Sequence, residues 1–212
     1  MSVFNTDGNM IPTFHTARLA YTGAAPPVRN RCAFGCWWLC LLCAFLAFSP
    51  PGHAQQDFME REHRIKAAYL YQFVNYIEWD EKAFSSPDSP LVIGVVGDDP
   101  VNKYLKLIAS QRKAKNRPIE YREVSTVEEA KECHILFFSE SVPDEQVRKL
   151  IGGRQGEPVL LVGEKSQFLQ HGGIIAFVIA GNNVRLQLSM KKAASHGLRV
   201  SSQLAKISNV VD

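Results

Sequence analysis

Catalysis needs nucleophiles, paired acids or metal ligands at defined spacings, and this sequence offers few. The most suggestive motif is GVVGDDP, in which Asp98 and Asp99 follow an apolar run and precede Pro100. Two acids after a strand can accept a phosphoryl group or hold a metal ion in α/β folds. A phospho-acceptor site also needs a lysine and further acids at the ends of later strands. Those stretches read FFSES and LVGEK, with Lys165 placed to imitate the lysine. The simpler reading is that Asp98 or Asp99 caps the helix that Pro100 begins and complements its dipole. Cys133 stands beside His134. Adjacent strand residues point to opposite faces, so the imidazole does not readily reach the thiol. IGGRQG follows a helical stretch instead of joining a strand to a helix, and so fails as a dinucleotide loop. No serine elbow, H-E-x-x-H or paired-histidine spacing occurs. His63, His171 and His196 are scattered and read as residues of solvated turns and helix ends. The expectation is a chain with no catalytic residues, no cofactor and no metal.

Composition narrows the class further. The 212 residues are 46% apolar and 21% charged, with a formal net charge of +3. That basic excess is too weak, and too dispersed, for a nucleic-acid partner. The segment RNRCAFGCWWLCLLCAFLAFSPPGHAQQ reads as a secretory signal peptide. Arg29 and Arg31 form its basic flank, residues 32–48 its apolar run, and Ser49 to Gly52 its breakers. The small residues of GHA predict cleavage after Ala54. The polar stretch 1–27 is long for such a leader, so a start near Val28 fits better. The expected organisation is a leader over 1–54 and one domain over 55–212, placed in the periplasm. If uncleaved, the apolar run would instead be an inner-membrane anchor, although it sits at the short end of the roughly 17–25 residues a span needs. Four of the five cysteines lie in the leader, which leaves Cys133 and no internal disulfide. Three basic residues (Arg18, Arg29, Arg31) and Asp7 precede Gln55, so the remaining 21 basic and 20 acidic residues nearly cancel.

The elements that must position these residues follow from periodicity. Arg61 to Glu78 recurs at three- and four-residue steps, which predicts a helix with Ile65, Tyr69, Phe73, Tyr76 and Ile77 on its apolar face. LVIGVVG, HILFFS and PVLLVGE are continuous apolar runs of strand length, as in buried parallel strands. RPIEYREV alternates like a half-buried strand, and IIAFVIAGNNVRLQLS reads as two strands around a Gly-Asn-Asn turn. Short helices are expected from Pro100 to Ser110, around Val127 to Lys131, from Pro143 to Leu150 and from Met190 to His196. The fold class is therefore α/β: a single three-layer domain with a central, largely parallel sheet flanked by helices, and an antiparallel hairpin near the C-terminus. A ligand crevice in such a sheet would lie at the carboxyl ends of its strands, near Gly97–Asp98, Ser139–Glu140 and Gly163–Glu164.

In order, IKAAYLYQFVNYIEW, IGVVGDD, CHILFFS, PVLLVGE, GGIIAFV, NNVRLQLS and KKAASHGLRVSSQLAKI resemble the YfiR-like periplasmic proteins, over roughly Arg64 to Ile207. The resemblance implies regulation instead of catalysis. Its best-known branch is a periplasmic repressor of an inner-membrane diguanylate cyclase. An outer-membrane lipoprotein can remove that repressor, which raises cyclic-di-GMP and promotes biofilm. Other members occur beside sensor kinases and outer-membrane receptors. The partner implied is thus the periplasmic part of a diguanylate cyclase or sensor kinase, with an outer-membrane lipoprotein and a homodimer also open. A periplasmic small-ligand binder feeding a kinase or receptor is the rival reading. The family's founding member carries cysteine pairs in its folded domain, whereas here only Cys133 persists.

The helical wheel divides the aromatic helix. Ile65, Tyr69, Phe73 and Tyr76 form the core stripe, Tyr71 points nearly opposite, and Trp79 and Asp80 close the helix at its rim. Tyr71, Trp79 and Asp80 are the candidate partner-binding residues.

Overall fold

The computed structural model describes residues 52–211. The basic flank and apolar run of the expected leader lie outside them. Helix α1 spans Gly52–Tyr76, so the expected cleavage point after Ala54 falls in its first turn. The helix stops two residues short of the expected Glu78, because Ile77–Glu78 (β1) pairs antiparallel with Arg199–Val200 (β9).

The remaining strands form one eight-stranded sheet. They are β2 (Leu91–Val96), β3 (Lys113–Ala114), β4 (Arg117–Val124), β5 (Ile135–Phe138), β6 (Leu160–Gly163), β7 (Ile175–Ala180), β8 (Asn183–Leu188) and β10 (Asn209–Val210). Their order is β10-β8-β7-β6-β5-β2-β4-β3. The sheet is mixed and not largely parallel throughout. The run from β7 to β4 is parallel, β7–β8 and β3–β4 are antiparallel, and β10 adds parallel to β8. The physical reason is connection length: β7–β8 and β3–β4 are joined by tight turns, which can only reverse the chain. Gly181 (φ +60) supplies the first turn, and Lys115 and Asn116 adopt φ of 49 and 70 in the second.

The helices are α2 (Val101–Gln111), α3 (Val127–Ala130), α4 (Asp144–Gly152), α5 (Met190–Ser195) and α6 (Ser202–Ile207). Every residue of β2, β5 and β6 is buried, as their unbroken apolar runs require. Neighbours on β5 serve opposite faces. Phe137 meets Phe177 edge-on at 6.1 Å, and Phe177 stacks on Phe73 of α1 at 6.2 Å. Phe138 meets Phe168 at 5.4 Å on the other side. Gly163 and Gly173 make Phe168's seat, since a Cβ on either would overlap its ring.

The buried face of α1 differs from the expected stripe. Lys66, Ala67, Leu70, Phe73, Val74 and Ile77 are buried, whereas Ile65, Tyr69 and Tyr76 are only half-buried. At about 100° per residue, the buried arc lies roughly a quarter turn from the predicted one. The helix packs against both α2 and β8, so its covered arc is wider than its apolar stripe and takes in charged residues.

Candidate functional site

Those charged residues sit at the carboxyl ends of β2, β5 and β6. Lys66 Nζ pairs with Glu62 of the same helix and lies 2.6 Å from Glu164 Oε1, just past β6. Glu164 Oε2 accepts the Glu140 amide at 3.0 Å, just past β5. Asp99, just past β2, accepts the Val101 amide at 2.7 Å and so caps α2, as GVVGDDP predicts. The same carboxylate stands 3.4 Å from His63 Nδ1. Four side chains of this cluster (Glu62, Lys66, Asp99 and Glu164) expose less than a tenth of their surface. Such charges persist only when paired and hydrogen-bonded. Burial pushes the Glu164 carboxyl above the usual carboxylate range, against the pull of Lys66, and Asp99 adds to the rise. Burial works against the Lys66 ammonium too, but Glu164 and then Glu62 outweigh it and hold its pKa above the ordinary lysine value. One ammonium serving two carboxylates explains both directions. The lysine is doubly stabilised, and the surplus negative charge falls on Glu164. The crevice expected at these strand ends is thus occupied by Glu62 and Lys66 from the middle of α1. Lys165, the phospho-acceptor-like lysine, is engaged 2.7 Å from Asp144.

At the far end of α1 the three expected partner-binding residues separate. Trp79 and Asp80 line one open cavity of about 530 Å³, together with Val74, Glu78, Arg117 and Arg199. Trp79 is half-buried against the core, and its Nε1 is buried without a hydrogen-bond partner. Asp80 is exposed and accepts the Lys82 amide at 2.9 Å, capping a single 3-10 turn at Glu81–Ala83. Tyr71 does not line that cavity. It is half-buried against the core rather than fully exposed, and its hydroxyl donates to the Lys113 carbonyl of β3 at 3.3 Å.

The amino ends of the same strands carry Cys133 and His134, and His196 is buried near Glu157. Cys133 is buried and reduced, and burial pushes its thiol up to about 11, which leaves it protonated and inert at neutral pH. His134 is buried, as its place at the start of the HILFFS strand predicts. Its Nδ1 accepts the Val92 amide at 3.1 Å, and its Nε2 donates to the Ala83 carbonyl at 3.1 Å. Burial holds its pKa below the ordinary histidine value, so the ring is neutral. The ring stacks on Phe84 at 4.5 Å, and Arg117 covers the other face of Phe84 at 3.9 Å. His196, expected at a solvated helix end, is instead buried, with Nδ1 2.8 Å from the Glu157 carbonyl. No group of three histidine, cysteine or carboxylate side chains among the described residues could hold a metal ion.

The YfiR/HmsC-like family profile matches residues 63–209, which contain β2, β5 and β6 and most of α1. The chain belongs to the YfiR/HmsC-like family. No curated protein matches it. The match begins at His63, inside the buried cluster, and includes both strand ends. For this family member, one available signal was the spacing of Glu62 and Lys66, four residues apart on a predicted helix. That spacing ordinarily marks a surface ion pair, and only the arrival of Glu164 from β6 makes it a buried one.

Proposed function

We propose that this YfiR/HmsC-like chain is a non-catalytic periplasmic signalling regulator. It binds the periplasmic part of an inner-membrane signalling protein and represses a diguanylate cyclase, lowering cyclic-di-GMP. The observation that carries this reading is the family match across 63–209, which spans both strand ends and the aromatic helix. In this proposal residues 1–54 are an export leader removed from the 55–212 domain, and an uncleaved leader would tether the same domain to the inner membrane. The docking surface proposed is the rim at the end of α1, where Trp79 and Asp80 share an open cavity and Tyr71 lies on the adjoining flank. Half-buried aromatic side chains at the edge of an open cavity suit an interface, where the partner completes their burial. An outer-membrane lipoprotein that competes for this rim, or a homodimer formed through it, would modulate the repression.

The test is a binding titration of the purified 55–212 domain against the periplasmic domain of a cyclase or kinase encoded beside it. Saturable binding, weakened by Asp80→Ala with the fold intact, is the expected result. Asp80 is the cleanest probe because its side chain is exposed and its cap serves only one short turn. Absence of binding to any such domain would remove the proposal's main support. N-terminal sequencing of the exported protein checks cleavage after Ala54.

A further inference from the structure

A second cavity, of about 580 Å³, opens at the amino ends of β2, β5 and β6, the opposite end from the filled crevice. Its size falls within the range of small-molecule sites, roughly 300–1,000 Å³. Its chemistry is distinctive in how its charges are held. Arg154 exposes only 4% of its side chain, yet it is a charged group at the cavity wall. Two backbone carbonyls fix its guanidinium: Nη1 donates to Lys131 O at 2.9 Å, and Nη2 donates to Cys133 O at 3.2 Å. Its Nε is buried with no partner. The one carboxylate on Arg154 is that of Glu157, a wall residue whose own side chain is 44% exposed. A half-exposed carboxylate, screened by solvent, is a weak counter-charge for a buried guanidinium. Burial accordingly pulls the Arg154 pKa down, and Glu157 only partly restores it.

The mouth of the cavity adds charge of the same sign. Lys82 and Lys131 are exposed at its edge, and neither ammonium has an ion-pair or hydrogen-bond partner among the described residues. Arg122 is the exception, since Glu120 and Glu132 both pair with it and leave one negative charge over. The wall as a whole carries four basic and three acidic side chains, a net of one positive charge that rises when Glu157 is displaced. Pro90, Pro158 and Ala83 supply apolar wall between the charges. A pre-fixed guanidinium, two unengaged ammoniums and an apolar wall together match a small molecule with one anionic head and a compact body.

We propose that this cavity binds a small organic oxyanion, carboxylate or phosphate, whose anionic head displaces Glu157 from Arg154 and is clasped by Lys82 and Lys131. The Glu157 carboxylate, itself a residue of the cavity wall, marks where such a head would meet the guanidinium. The neutral His134 stacks on Phe84, whose opposite face meets Arg117. Phe84 and Arg117 line the cavity that holds Trp79 and Asp80, whereas His134 lines this one, so the stacked His134–Phe84 pair stands between the two.

The experiment is calorimetric titration of the purified domain, without any partner protein, using three probes: inorganic phosphate, glycerol 2-phosphate and succinate. The expected result is saturable binding of at least one probe, with phosphate and succinate arms telling the two head groups apart. The Lys82→Ala/Lys131→Ala double variant, which alters only exposed side chains, should bind about tenfold or more weakly. Glu157→Gln should bind more tightly, because it removes the competing carboxylate, and a merely structural Glu157 would not give that gain. No saturable binding of any probe to the wild type overturns the proposal, as does affinity unchanged in both variants. Because no partner is present, failure here leaves the regulator reading untouched, and failure of partner binding leaves this site untouched.

Discussion

The two ends of the central strands handle charge in opposite ways. At the carboxyl ends, Glu62, Lys66, Glu164 and Asp99 are buried, and α1 closes over them. At the amino ends, Arg154 is buried but thinly matched, a cavity stays open above it, and Lys82 and Lys131 remain unengaged. Parallel α/β sheets ordinarily place their ligand crevice at the carboxyl ends. Here the carboxyl ends of β2, β5 and β6 are given over to fastening a helix, and a cavity with a buried guanidinium in its wall lies at their amino ends. Position relative to strand direction therefore does not identify the functional end, but the state of its charges does. Buried charges that share close counter-charges on every side serve structure, and a buried charge met only by a half-exposed carboxylate at a cavity is available to a ligand.

The sharpest way to break this contrast is Lys66→Met. It leaves Glu62 and Glu164 buried without their shared cation, and stranding a buried partner costs about 3–5 kcal/mol. Urea denaturation should show a fall of that order, or a domain that does not fold at 25 °C. The double change Lys66→Met/Glu164→Leu should recover part of the loss, because it strands fewer charges. A fall below about 1 kcal/mol for Lys66→Met would mean that the cluster is open to water and that the two ends do not differ.

Much of this architecture is legible in the sequence, and the exceptions share a cause. β4 occupies Arg117–Val124, the eight residues whose alternation predicts it, and the β7–β8 hairpin turns at Gly181 as expected. Those elements are decided by local pattern and turn chemistry. β1, β3, β9 and β10 are two residues long each, and they exist only because a distant segment offers a ladder. No local pattern can announce them. The α1 error is of the same kind. An apolar stripe locates the face a helix turns toward one neighbour, but α1 packs against several elements, and Glu164 arriving just past β6 brings Glu62 and Lys66 inside. Among the candidate site residues, Trp79 and Asp80 do fall together on one cavity, while Tyr71 packs toward β3. A wheel gives the direction of a side chain and not what loop or strand will arrive to cover it.

Acid should act on the two ends in opposite directions. The folded-state pKa of Glu164 is raised from 4.5, so the folded protein holds that proton more readily than the unfolded chain. Its contribution to stability is complete below the unfolded value and is lost as pH rises through the folded one. His134 is lowered from 6.5, so the unfolded chain takes up that proton more readily. Its contribution is complete above 6.5 and is lost as pH falls through the folded value. Between pH 7 and pH 5, Glu164→Gln should therefore lose stability more steeply than the wild type, and His134→Asn less steeply. Urea midpoints at the two pH values measure both slopes, and variants with the wild-type slope would show that neither group carries the pH dependence.

The smallest effect expected is also the most discriminating. Lys131→Ala and Lys82→Ala remove exposed ammoniums that hold nothing in the folded protein, so each should change stability by no more than about 0.5 kcal/mol. Lys66→Met removes the same functional group and should cost several times more, because its ammonium is the cation two buried carboxylates share. If the rim lysines proved as costly as Lys66, they would belong to the scaffold, and the amino-end charges could not be free to meet an anion. If they prove silent in stability yet raise the salt dependence of probe binding, the difference between the ends is one of purpose. The same ammonium fastens a helix where it is buried between acids and recruits a ligand where it is left exposed beside a cavity.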